Sequence, residues 1–123
     1  MTEYELADLI ATQTGNGTSV LALFLTVVSG YLIVSWLVGH RLSPPQAALI
    51  NTLFVVFAGL CIFAWFTHFM SALSYQNELT VLNPQRISPL QTEKIVIGTA
   101  VLLVIVMIAC LKFMWDVRHP KTE

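Results

Sequence analysis

Residues 9–40, 42–77 and 95–111 contain no Asp, Glu, Lys or Arg, so every formal charge of the chain stands outside or at the edge of a long apolar run. A hydrocarbon layer about 30 Å thick is crossed by roughly 20 residues of helix, and a Lys or Arg at its centre costs about 2.5–3.5 kcal/mol on insertion scales. Three charge-free runs of this length therefore predict an all-α membrane protein with three transmembrane helices in a small bundle. Hydrophobic residues make up 56% and charged residues 11% of the 123 positions, against about 45–50% and about 25% in soluble domains. The segments outside the runs are too short to build a soluble core. With six Lys and Arg spread along the chain and a formal net charge of −1, no basic patch exists for a nucleic-acid partner.

Local signals place the boundaries. Residues 18–39 form the first span. It is expected to be retained, because Glu3, Glu5 and Asp8 stand where a secretory signal would be basic. The first 17 residues read as a short amphipathic helix at the outer face, opened by a Thr2-x-x-Glu5 capping box and broken at Gly15-Asn16-Gly17. Asn16-Gly17-Thr18 also matches a glycosylation sequon, but reads more simply as the turn that starts the first span. Ser43-Pro44-Pro45-Gln46 starts a second helix over 44–75, with Ser43 as N-cap, proline where a missing N–H costs nothing, and Gln46 completing a capping box. Ser88-Pro89-Leu90-Gln91 repeats this chemistry before a third span over 89–115, after an outer loop over 76–88 and ahead of a tail over 116–123. Arg41, Lys112, Arg118 and Lys121 fall on one side, and Arg86 and Lys94 on the other. Because positive residues mark the cytoplasmic face, the threading is expected to be N-out and C-in.

The polar inventory of the spans is thin. His68 is the one ionisable side chain inside them, on a face with Cys61, Ala64, Ser71, Ala72 and Tyr75 that should point into protein. Glu93 is its expected partner, with Ser19, Thr26 and Thr99 in reach. Asn51 should bond across helices to Arg41, Lys112 or Trp115, and the Tyr31 hydroxyl should find a carbonyl or a neighbour. Cys61 and Cys110 differ in depth and read as packed thiols rather than a disulfide. Ala22, Thr26, Gly30, Ser35 and Gly39 form a small-residue series on the first helix, suited to a close helix contact inside the molecule or to an oligomer interface.

No CxxC, HExxH or GxSxG spacing occurs, so no catalytic residue, metal site or cofactor is expected. The reading that follows is a non-enzymatic small integral membrane protein, multi-pass in a cell membrane such as the bacterial inner membrane. It would act as a structural or accessory subunit whose partners are lipid and either itself or another membrane protein. Size, three spans and threading are similar to phage holins of the three-helix class, on architecture and no motif, which implies an oligomeric pore as an alternative. A haem- or quinone-binding electron-transfer role is a second alternative, with His68 as the candidate ligand. Paired axial histidines at one depth are not available within one chain, since His40 and His119 lie at the opposite boundary.

Overall fold

The computed structural model describes residues 2–85 and 93–120. Its three α-helices are α1 (Glu3–Val38), α2 (Pro44–Leu82) and α3 (Glu93–Arg118), with one 3-10 turn, Gly39–Arg41, between the first two. Each is long and apolar enough to cross a membrane.

The N-terminal caps follow the sequence. Thr2 accepts from the Glu5 backbone N–H while the Glu5 carboxylate accepts from the Thr2 N–H, and Ser43 and Gln46 make the same reciprocal pair at the start of α2. The repeat of this motif at Ser88–Gln91, and with it the start of the third span at 89, lies outside the described residues.

Three boundaries differ from expectation, one of them the end of α3, which runs on to Arg118 rather than stopping at 115. The N-terminal segment is not a separate helix, because α1 runs without a break through Gly15-Asn16-Gly17. Gly17 is buried for a packing reason: a Cβ there would run into the Phe69 ring of α2, so glycine lets the two backbones approach. Thr18 accordingly sits inside the helix, its hydroxyl donating to the Thr14 carbonyl. Helix α2 continues past 75 to Leu82, carried by Gln76 and Leu79, which are buried.

At 1.5 Å per residue, α1 and α2 are about 54 and 58 Å long and α3 about 39 Å, so the first two overrun a 30 Å hydrocarbon layer. They pair antiparallel along nearly their whole length, from the turn at Gly39–Arg41 to the far end, where the Asn83 amide donates to Glu3 Oε1 at 3.3 Å. The third helix touches both less extensively and lies parallel to α1, with Phe113 facing Trp36 and Val117 against Gly39. That register sets Glu93 level with about Gly15. Residues 3–14 and about 70–82 thus form a two-helix arm beyond the start of α3.

The core is a single seam of Phe24, Val28, Phe54, Ala58, Trp65 and Leu103 with their neighbours. On α1 the buried positions Phe24, Val28, Tyr31 and Ser35 recur every three or four residues, one stripe facing α2 and α3. The remaining perimeter is apolar and exposed, from Leu23 and Ile33 on α1 to Leu60 and Phe63 on α2 and Ile105 and Ile108 on α3. In water this surface would drive aggregation; in lipid it is the expected boundary.

Candidate functional site

Two interhelical hydrogen bonds hold the polar groups of the spans. Nearer the turn, the Tyr31 hydroxyl donates to Asn51 Oδ1 at 2.7 Å, and the Tyr31 ring stacks on Phe54 with centroids 4.0 Å apart. Tyr31 is 5% exposed and Asn51 half-buried. Asn51 therefore pairs with Tyr31 rather than with Arg41, Lys112 or Trp115. The reason is helical phase: Asn51 stands on the inner side of α2, one turn before Phe54, while those three residues are exposed at the bundle's rim.

Toward the arm, His68 is half-buried and its Nδ1 lies 2.7 Å from Gln13 Oε1. A carbonyl oxygen only accepts, so Nδ1 carries the proton of this bond. The expected partner, Glu93, is exposed at the first turn of α3. Gln13 takes its place because α1 stays helical through 15–17 and keeps residue 13 within hydrogen-bond reach of the imidazole. Beside this pair, Phe69 lies over Gly17 and stacks on Trp65 at 4.8 Å. The rest of the small face of α2 is turned inward: Cys61 and Ala72 are buried, and Ala64, Ser71 and Tyr75 half-buried.

Of the small-residue series, Ser35 on α1 and Gly39 at the start of the 3-10 turn are buried, the Ser35 hydroxyl donating to the Tyr31 carbonyl, and a Cβ at Gly39 would press on Val117 and Met114. Ala22, Thr26 and Gly30 are not part of that contact. They are exposed, and a Cβ at Gly30 would meet nothing within 4 Å. Gly30 to Ser35 is a five-residue step, about 140° past a full turn at 3.6 residues per turn, so with 35 and 39 buried the group 22–30 lies on a different, outward face of α1.

A residue read in the sequence only as part of the charge asymmetry closes the turn end. Arg118 Nη1 donates to the Leu42 carbonyl at 2.7 Å and the Gly39 carbonyl at 3.2 Å, so the end of α3 satisfies carbonyls where α1 stops. Its neighbour His119 stacks on Trp115 with centroids 3.9 Å apart. Gln13 and Arg118 carry no local motif and Gly17 reads locally as a break; antiparallel register at a sum near 84 would have paired 13 with 68 and 17 with 69 approximately.

Cys61 and Cys110 are free and buried. Among the described residues no group of three or more His, Cys, Asp or Glu gathers into a metal-binding arrangement. The hydroxyls of Thr18, Ser19, Thr26, Thr52 and Thr67 each donate to the carbonyl four residues earlier, so these exposed side chains have their donors satisfied within their own helices. No protein-family model, curated protein or solved structure matches the chain.

Proposed function

We propose that this chain is a non-enzymatic integral membrane subunit that builds a homo-oligomer or attaches to a larger membrane complex. The observation that carries the reading is the exposed small face of α1. Ala22, Thr26 and Gly30 recur every four residues with open space at Gly30, the shape that lets a second helix approach closely in lipid. The chain's own helices leave this face free, while the other small residues of the series, Ser35 and Gly39, are spent inside the bundle. The arm beyond α3 adds a second surface, with Tyr4 and Val81 about four-fifths exposed.

Threading with the N-terminus out and the turn and tail in is supported by the Lys/Arg asymmetry, with Arg41, Lys112 and Arg118 at the turn end and Lys121 following them in the sequence. A cell membrane, the bacterial inner membrane by this reading, is the matching location. The test is gentle extraction of the tagged full chain followed by mass analysis of the intact assembly. A mass above one chain, reduced to one chain by Gly30→Leu, is the expected result. A single-chain mass with no companion for the unaltered protein would refute the reading.

A further inference from the structure

The seam between α2 and α3 is not closed by protein. Two crevices of about 340 Å³ each follow one another along it: one lined by Asn51, Thr52, Val55, Val56 and Leu111, the next by Gly59, Ile62, Phe66, Ala100, Val104 and Met107. From Asn51 to Phe66 they extend about 22 Å at 1.5 Å per residue, the length of one extended fatty acyl chain. The lining is apolar except at the turn end, where Asn51 and Thr52 stand.

The Thr52 hydroxyl is spent on the Ala48 carbonyl. Asn51 is different. Its Oδ1 accepts from Tyr31, which fixes the amide orientation and leaves the two Nδ2 hydrogens, with no partner among the described residues, on the side chain that lines the crevice. An amide donor at the edge of hydrocarbon is stabilised by an acceptor. The depth identifies the acceptor. Trp36 and Trp115 are both exposed near the turn end, as residues of a headgroup-level aromatic belt, and Asn51 lies about one helical turn, roughly 5 Å, further into the membrane. Ester carbonyls of a glycerophospholipid lie at that level, just inside the headgroups. On the headgroup side of Leu111, two turns along the same helix, stands the Arg118 guanidinium, half-buried and, among the described residues, bound through Nη1 to two carbonyls. Its positive charge matches a phosphate.

We propose that the α2/α3 seam binds one glycerophospholipid of the leaflet on the turn side. One acyl chain lies along the crevices to Phe66, its ester carbonyl accepts from Asn51 Nδ2, and its phosphate faces Arg118. The lipid completes the packing of α3, the helix that contacts its neighbours least.

The experiment is native mass spectrometry of the purified full chain titrated with dioleoyl-phosphatidylglycerol and, separately, with its diether analogue, which has no ester carbonyl. One retained ester lipid per chain is expected, with the diether held about fivefold more weakly for one lost hydrogen bond. Asn51→Leu should remove the difference between the two lipids. Gly59→Phe, at a glycine whose Cβ meets nothing within 4 Å, should fill the crevice and abolish retention while circular dichroism and the thermal melt stay unchanged. Equal binding of ester and diether lipid by the unaltered protein would overturn the proposal, as would full retention by a folded Gly59→Phe chain. Displacement of the phospholipid by one equivalent of ubiquinone would also overturn it and reassign the seam to a quinone.

Discussion

Replacing Tyr31 by Phe removes one oxygen and leaves the ring stack on Phe54 in place, so it isolates the hydroxyl that joins α1 to α2. The bond is short at 2.7 Å, Tyr31 is 5% exposed, and Asn51 Oδ1 has no second donor among the described residues. Interhelical side-chain hydrogen bonds in membrane proteins average about 0.6 kcal/mol and reach about 1.7. A buried geometry with an acceptor left unpaired belongs in the upper part of that range, so Tyr31→Phe should cost about 1.5 kcal/mol, roughly a tenfold shift in the unfolding equilibrium. Asn51→Leu should cost about as much, and the double variant little more than either, giving a coupling near 1 kcal/mol. Reversible unfolding in mixed micelles of sodium dodecyl sulfate and a mild detergent, followed by tryptophan fluorescence, measures all four corners of the cycle. Tyr31→Ala provides the contrast, since losing the ring as well should cost about 3–5 kcal/mol. A Tyr31→Phe variant as stable as the parent, with additive single effects, would refute the claim that this pair ties the helices together.

Gly17→Leu should destabilise the arm by about 1–3 kcal/mol through collision with Phe69, seen as faster amide exchange over residues 3–14 and 70–82; unchanged exchange would mean that the glycine is not a close-approach position. Gln13→Leu and His68→Phe should each loosen the same region, and the pair should be less than additive in the micelle titration, whereas strict additivity would separate the two side chains. Arg118→Gln should raise amide exchange in the 39–43 turn, because the Gly39 and Leu42 carbonyls lose a charged donor, and Arg118→Lys should restore protection only in part. A cysteine fused after Thr2 should react with a membrane-impermeant maleimide in intact cells, and one placed after His119 should not; the reverse pattern would invert the threading.

The sequence carried the architecture because charge and helix chemistry are local. Three charge-free runs defined the helices, and the caps at Thr2 and Ser43 appeared where reciprocal side-chain bonds were expected. Extents were less legible. Gly15-Asn16-Gly17 has the composition of a break, and only the Phe69 ring across the interface gives Gly17 a reason to be helical. The same non-local cause governs the polar pairs. His68 and Asn51 were recognisable as groups needing partners, but the partners depend on the α1/α2 register, which no local motif displays and which reaches Gln13 only if α1 is continuous; then Gln13 rather than Glu93 meets His68. Ala22, Thr26 and Gly30 were visible as a packing series, yet which helix they would pack against turned on a rotation of α1 that the buried stripe Phe24, Val28, Tyr31 and Ser35 decides.

That rotation leads to the most direct test of assembly as the role of this chain. Thr26 on α1 and Ile105 on α3 lie at nearly the same depth and are both exposed, but only Thr26 belongs to the small-residue face. Single cysteines at these positions, in a Cys61→Ala/Cys110→Ala background, can be cross-linked in native membranes with a short bis-maleimide. A discrete higher-mass product from Thr26→Cys, with none from Ile105→Cys, is the predicted result. No product from either position, or equal products from both, would contradict the assignment of that face to a partner helix.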